Sequence, residues 1–462
     1  MKKGLFQSVI WLAFILITTQ SRAQSVVQPL LHAFEQLDKD TCLKKADISF
    51  CLLDINTGKV IVEKNKDKLL APASTLKTFT TATALYVLGE NYQYQTRVTL
   101  KGTIQDKVGK GTLIIYGAGD PSLGSDRYDD TKPDKVFQQI VKALKSKGIE
   151  QLEGNIIVNK SIYTDENINK DWLDEDVGNY YGAGIYPLNW KENKFEINLV
   201  PTTSSFEVLN NTAGYDNKKD FCIELIHKEG ATTEEAFAYI EKSKSCMYNI
   251  KGVLSAKEAT QNMQLARLTP DKDFIRDLSA YLKKEMAFKT NNIRSYEQEI
   301  EITRIVSPPL AQLVYWCNQK SLNLYAESFC KTIASHMFKA GSWRLGISAM
   351  MRYANALKIN TRQVQLKDGC GLAETNRITT YVLASMLQRN TKEKNHQTFY
   401  ASLPSINGLN MKSGYIGGTR SYAGYITLKD STKASFAFII HGYTCTPKEV
   451  KSKMFQVLDK MK

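Results

Sequence analysis

The spacing of apolar residues changes character several times along this chain. Near the amino end Val27–Leu37 reads as a helix. Next come a strand-rich run, Asp47–Ile55, the turn residues Asn56-Thr57-Gly58, and a returning run, Lys59–Glu63, which together predict a hairpin. Ala71-Pro72-Ala73 then leads into Ser74–Leu88, where Leu76, Phe79, Thr80, Thr83 and Val87 recur at helical spacing, with Pro72 setting the entry. Most of the middle predicts β structure: Arg97–Gly102, Gly111–Tyr116, Asn155–Val158, Lys194–Val200, Ser205–Leu209, Phe221–Ile226 and Cys246–Ile250. Helical patches interrupt it at Lys135–Lys147 and Asp271–Lys284. From Pro309 the pattern is helical again, through Leu310, Leu313, Val314 and Cys317, and Trp343–Leu357 and Tyr381–Leu387 follow as helices.

The carboxyl end returns to strands, Gly408–Ser413, Ser421–Leu428 and Lys433–Tyr443. A last amphipathic segment, Lys448–Met461, puts Val450, Met454, Phe455, Leu458 and Met461 on one side. It reads as a helix packed on the terminal sheet, with a membrane-surface anchor as the alternative. Strands from both chain ends in one antiparallel sheet, with helices between them, predict an α/β layered architecture. No internal repeat is present, so the β-rich middle reads as a long insertion between two halves of one domain.

A chain of 462 residues exceeds a single ordinary core and predicts two or three domains. Composition is that of a globular protein, 43% hydrophobic and 23% charged, with a mean hydropathy of −0.32. The amino end differs. Lys2 and Lys3 precede the apolar run Val9–Ile17, and Ser21-Arg22-Ala23 precedes Gln24, the pattern of a cleaved export signal over residues 1–23. An uncleaved anchor is the alternative, and the missing Cys after the cleavage point speaks against a lipoprotein. Loss of Lys2, Lys3 and Arg22 lowers the net charge from +14 to +11. Such a surface suits an anionic polymer and leaves room for weak association with an anionic membrane face, or is simply a solvated lysine-rich exterior. No charge block or basic-aromatic ladder points to nucleic acid.

The eight cysteines of an exported chain could pair, yet spacing does not decide connectivity. Cys222 and Cys246, bracketing one β-rich segment, are the most plausible pair, and buried free thiols are an equal alternative. Five scattered histidines, with no C-x-x-C and no H-E-x-x-H, disfavour a zinc site, and no cofactor is expected.

Three short motifs carry the chemistry: Ser74-Thr75-Leu76-Lys77, Ser321-Leu322-Asn323 and Lys412-Ser413-Gly414. Ser74 and Lys77, three apart on a helix, share a face. A serine hydroxyl needs a neighbour to take its proton, and a lysine whose ammonium form is disfavoured by burial or by another cation can do so. Ser321 is placed to relay a proton to a departing amine, and the Asn323 amide to bind a peptide carbonyl. Strand alternation puts Lys412 and Gly414 on one face, the cation facing a substrate carboxylate and the glycine leaving room for substrate. Backbone N–H groups of Ser74 and Tyr415 would make a two-donor oxyanion hole. Each motif alone is common and equally consistent with a helix cap, a turn or a solvated lysine. Together they describe one acyl-transfer centre.

With these residues in place, the chain resembles the class C low-molecular-mass penicillin-binding proteins, the D-alanyl-D-alanine carboxypeptidase/endopeptidase family of penicillin-binding protein 4 type. Supporting segments are Gly119-Asp120-Pro121, Trp172 through Asp176 with Tyr181-Gly182-Ala183, Asn323 through Glu327, Asp368-Gly369-Cys370-Gly371-Leu372 and Leu403-Pro404. The long insertion between the first two motifs is the family's mark. The resemblance implies a β-lactamase/transpeptidase-like core, an antiparallel sheet flanked by helices, over residues 24–93 and 300–462. The insertion would form one domain over 94–195 and 263–299 and another over 196–262. It also implies that Ser74 is acylated, Lys77 is its base, Ser321 and Asn323 assist, and Lys412 with Ser413 holds the terminal carboxylate of D-alanine. Asp176 would contact the free amino end of a diamino acid side chain, or be a solvated acid. Peptidoglycan peptides are the implied substrates and β-lactams the covalent inhibitors. Departures are Ser413 where Thr is usual, Cys370 where Ser is usual, and a short segment between Pro404 and Lys412. A β-lactamase or D-amino-acid esterase, and a cell-wall-binding protein without activity, are the alternative functions.

Overall fold

Strand Asp47–Asp54, buried except at its ends, pairs antiparallel with Lys433–His441, Phe50 opposite Phe438. The two ends of the chain therefore meet in one sheet. The structure, a computed structural model, describes residues 26–227, 237–241, 244–254, 260–291 and 297–462. The expected export signal over 1–23 lies outside the described residues. Among the described residues, no helix is long and apolar enough to cross a membrane.

The chain divides into two compact units. The first takes the described part of Met1–Val87, with Val314–Ser321 and Ile347–Lys462. Its six-stranded antiparallel sheet runs in the order Ser405–Ile406, Leu409–Ile416, Thr419–Thr427, Lys433–His441, Asp47–Asp54, Val60–Lys64. Alternation sends Phe50, Leu52, Phe436, Phe438 and Ile440 to one face, where they pack with Leu30 and Phe34 of a helix over 26–39 and with Val450, Met454 and Leu458. Those last three belong to helix Pro447–Asp459, started by a capping box in which Thr446 and Glu449 bond reciprocally, with Pro447 at the first helical position. The terminal segment is thus a helix on the sheet, as its spacing predicts. Cys42 and Cys445 form a disulfide that joins the two ends of the chain and that their spacing did not suggest. The opposite face carries helix Thr380–Asn390, with Ser435 Oγ donating to the Ala384 carbonyl at 2.9 Å and Ser49 Oγ 2.8 Å from Thr380 Oγ1.

The second unit, Leu88–Leu313 with Leu322–Gly346, is the β-rich insertion and its flank. A five-stranded sheet, in the order Ala287–Thr290, Gln151–Asn159, Val108–Tyr116, Gln95–Gln105, Glu299–Val306, is covered by helices Pro133–Ser146 and Pro270–Glu285 around Phe137, Trp190 and Phe274. Two three-stranded sheets share a separate core of Phe195, Phe206, Phe221, Tyr248 and Ile250, stapled by the expected Cys222–Cys246 disulfide. Cys51, Cys317, Cys330 and Cys370 are buried and, among the described residues, form no disulfide. The molecule has the expected fold class, an α/β core interrupted by a large β-rich insertion.

Candidate active site

The centre begins with a turn that does not want to form. Pro72 precedes a single 3₁₀ turn, Ala73–Leu76, and Ala73 holds a left-handed φ of +48°, a conformation that costs a non-glycine residue on the order of 1 kcal/mol. Three contacts hold it. Thr75 Oγ1 and Ser421 Oγ both donate to the Pro72 carbonyl at 2.6 Å. Gly371 lies so close that a Cβ there would stand 1.9 Å from the Ala73 carbonyl oxygen. The turn leaves Ser74 partly exposed while Thr75, Leu76 and Lys77 are buried. Helix Lys77–Leu88 follows, buried on all sides through Leu85, and its Thr78, Thr81 and Thr83 hydroxyls bond back to the carbonyls of Thr75, Lys77 and Phe79.

Lys77 Nζ donates to Ser74 Oγ at 2.9 Å and to the Cys370 carbonyl at 2.8 Å. That carbonyl is delivered by a loop organised around Asp368, which is fully buried. Its carboxylate accepts from the N–H groups of Gly371 at 2.8 Å and Ala373 at 2.6 Å, and from Asn376 Nδ2 at 2.9 Å. Thr80 Oγ1 of helix Lys77–Leu88 also donates to the Gly369 carbonyl. Sequence reasoning noted this segment but assigned it no role. The signal was there: an acid followed by Gly-Cys-Gly is turn chemistry, and the acid can collect the turn's N–H groups. The Cys370 thiol lies 3.7 Å from Asp368 Oδ2, and nothing in the structure explains a cysteine where the resemblance implies a serine.

Strand Leu409–Ile416 supplies the third motif. Lys412 is 1% exposed, and its Nζ donates to Ser321 Oγ at 2.9 Å and to the Ser413 carbonyl at 2.7 Å. Burial, and then the nearby Lys77, push the Lys412 pKa down to about 7. Two residues on, a Cβ at Gly414 would stand 2.8 Å from the Ser74 backbone nitrogen and 2.9 Å from Ala73 Cβ. The strand therefore lies directly against the Ala73–Leu76 turn. It pairs with Thr419–Thr427 on one side, and on the other only Leu409 and Asn410 meet Ser405–Ile406. Among the described residues, its edge from Met411 to Ile416 has no strand partner. Ser321 joins helix Leu310–Lys320 to the next helix in a left-handed conformation, φ +56°, which turns its hydroxyl to Lys412.

Ser74, Lys77, Ser321, Lys412, Ser413, Gly414 and Tyr415 all fall in the first unit. Alternation carries Ser413 and Tyr415 to the strand face opposite Lys412, and Tyr415 is 55% exposed. Asn323 and Asp176 belong to the second unit. Asn323 opens helix Asn323–Phe338 and donates its amide to the Tyr181 carbonyl at 2.8 Å. Burial, and then the neighbouring Asp176 carboxylate, raise the Tyr181 hydroxyl well above its ordinary pKa. Gly182 is pressed against the Asp176 carbonyl, where a Cβ would stand at 2.0 Å, so the segments around Trp172–Asp176 and Tyr181–Ala183 form one local structure.

A model of the D-Ala-D-Ala carboxypeptidase 3 (S13) family matches residues 30–461. The chain is 22% identical over 434 residues to D-alanyl-D-alanine carboxypeptidase DacB of Haemophilus influenzae, with 88% of each chain covered. It is 22% identical over 408 residues to a D-alanyl-D-alanine carboxypeptidase of Actinomadura sp., covering 82% of this chain and 71% of that one. The crystal structure of penicillin binding protein 4 from Haemophilus influenzae has the same fold, with a TM-score of 0.78 at 20% identity over 92% of this chain and 97% of the other. That protein has also been solved complexed with a β-lactam, at a TM-score of 0.73. Because the family match runs through all three motifs and nearly the whole chain, this protein belongs to the D-Ala-D-Ala carboxypeptidase 3 (S13) family of serine peptidases.

Proposed function

We propose that this enzyme releases the terminal D-alanine of peptidoglycan stem peptides, and hydrolyses D,D-crosslinks, through an acyl-enzyme on Ser74. The supporting observation is the double pairing of each motif lysine with a motif serine, Lys77 with Ser74 and Lys412 with Ser321, each at 2.9 Å. Lys77 takes the Ser74 proton while Oγ attacks the carbonyl of the penultimate D-alanine. The oxyanion falls between the N–H groups of Ser74 and Tyr415, and the substrate backbone lies along the unpaired edge of Leu409–Ile416 as an added strand. Collapse breaks the peptide bond, and Ser321 relays to the departing amine the proton that Lys77 took from Ser74, which leaves Lys77 able to accept a proton again. The Lys412 ammonium, with Ser413, holds the carboxylate of the leaving D-alanine. Water then attacks the acyl carbonyl, Lys77 accepts its proton, and as the bond from the carbonyl to Ser74 Oγ breaks Lys77 returns that proton to Oγ, regenerating Ser74. Asn323 would orient a substrate amide, and Asp176 would receive the amino end of a diamino acid.

β-Lactams, whose ring carbonyl and carboxylate imitate the terminal dipeptide, would acylate the same serine. An exported enzyme with residues 1–23 removed, working in the periplasm, fits this substrate. The two three-stranded sheets, whose strands run from Lys194 to Ala266, would form one insertion domain, and the five-stranded sheet with its helices the other. The test is a fluorescent penicillin applied to the purified protein. Covalent labelling that disappears in Ser74→Ala is expected, and labelling that persists in that variant would remove Ser74 from its role.

A further inference from the structure

A cavity of 860 Å³ opens in the first unit at the start of strand Leu409–Ile416 and the far ends of its neighbours, away from Gly414 and Ser74. Three lysines line it, Lys392, Lys433 and Lys462, and among the described residues no Asp or Glu side chain does. Lys462 is held by Asp459 at 2.7 Å and by the Asn407 carbonyl, whereas Lys392 and Lys433 are exposed and, among the described residues, make no ion pair. One wall is a ring cluster. The centroids of His396, Tyr400 and Tyr425 lie 5.4 to 5.9 Å apart. Tyr425 is fixed from behind, its hydroxyl donating to the Leu387 carbonyl at 2.9 Å. His396 Nδ1 lies 3.1 Å from Asn390 Oδ1, and burial holds its pKa below the ordinary range, so the ring is uncharged at neutral pH. Nothing in the catalytic sequence above uses any of these groups.

Rigid aromatic faces beside unneutralised ammonium groups suit a ligand with a flat apolar face and a negative charge. A sugar ring presents its C–H face to tyrosine, and a carboxylate attached to that sugar would reach the lysines. We infer that this cavity is a second binding site, separate from the acylation centre, for a saccharide carrying a carboxylate-bearing peptide. The choice of a cell-wall saccharide among anionic sugars rests on the proposed activity. Such a site would hold the polymer while the catalytic cleft works on one of its peptides.

The test uses the full chain acylated with penicillin, so that the catalytic cleft is already filled; acylation itself reports on the proposed activity independently. The probe is a disaccharide–tetrapeptide purified from peptidoglycan, with neutral chitotetraose and the free tetrapeptide as comparisons, each titrated by calorimetry. The disaccharide–tetrapeptide is expected to bind more tightly than either comparison. Binding should weaken about ten-fold when both exposed lysines are reversed, in Lys392→Glu with Lys433→Glu, and should also weaken in Tyr400→Ala. Acylation rates should stay unchanged in both variants. Binding that is indifferent to charge reversal, or chitotetraose binding as tightly as the charged probe, would overturn the inference. Equal binding of the free tetrapeptide would likewise exclude the saccharide from the site.

Discussion

Replacing Gly414 with alanine probes the contact on which the catalytic geometry depends. The new methyl group would stand 2.3 Å from Ser421 Oγ, 2.8 Å from the Ser74 backbone nitrogen and 2.9 Å from Ala73 Cβ. Carbon atoms in comfortable contact sit at roughly 3.5–4.0 Å, so something must move by more than half an ångström. Ser421 could rotate away, but it would then give up its bond to the Pro72 carbonyl. Ala73 and Ser74 cannot retreat freely, because Gly371 backs the Ala73 carbonyl and Thr75 pins Pro72. Overpacking of this kind typically costs about 1–3 kcal/mol of stability. The larger effect falls on chemistry, since displacing one oxyanion donor lowers rate by about 10²–10³. Second-order acylation by a fluorescent penicillin, measured by stopped flow beside thermal unfolding, separates the two. Acylation should fall by about two orders of magnitude or more with only a modest drop in Tm, and adding Ser421→Ala should not restore it, because the Ser74 amide still obstructs the methyl. A Gly414→Ala enzyme that acylates within about threefold of the parent rate would refute the view that this strand abuts the nucleophile.

Other outcomes follow from the same geometry. With the Lys412 pKa near 7, its ammonium form disappears as pH rises through 7, so kcat/KM on a substrate with a free terminal carboxylate should decline along an alkaline limb centred there. A substrate whose carboxylate is amidated should lack that limb, and identical profiles for the two would sink the assignment of Lys412 as the carboxylate anchor. Asp368→Ala removes the acceptor of three hydrogen bonds and should release the Cys370 carbonyl from Lys77, lowering kcat far more than it raises KM; an unchanged kcat in a folded variant would contradict this. Burial raises the Asp120 pKa from 3.8 to about 6. The folded state therefore binds this proton more tightly than the unfolded chain, and stability is lost as pH rises from about 4 through 6. Asp120→Asn should accordingly gain up to ~3 kcal/mol at pH 8 and little at pH 4 in denaturant titrations. Opening the Cys42–Cys445 disulfide, whose partners are 403 residues apart, should cost about 2–4 kcal/mol, read as a lower denaturation midpoint under reducing conditions.

Several strands escaped the sequence for a common reason. Gln261–Ala266 mixes three polar and three apolar residues, and Ala287–Thr290 has four residues, so neither has an apolar period long enough to register. Glu299–Val306 does alternate, but its assignment to the five-stranded sheet comes from pairing with Gln95–Gln105, a partner some two hundred residues away that no local pattern names.

What the chain declares by itself is whatever depends on neighbours along the backbone. The hairpin before the first motif, the proline-led entry to the nucleophile helix and the capped terminal helix all follow from residues within one or two turns of each other. So does the pairing of Ser74 with Lys77, one helical turn apart. Only the fold could decide that the Lys412 ammonium meets Ser321, that a loop carbonyl at Cys370 becomes the second partner of Lys77, and that Gly414 lies against the Ser74 amide. Each of these joins groups separated by tens to hundreds of residues, and their distances are set by the summed packing of two sheet faces, which no single segment encodes.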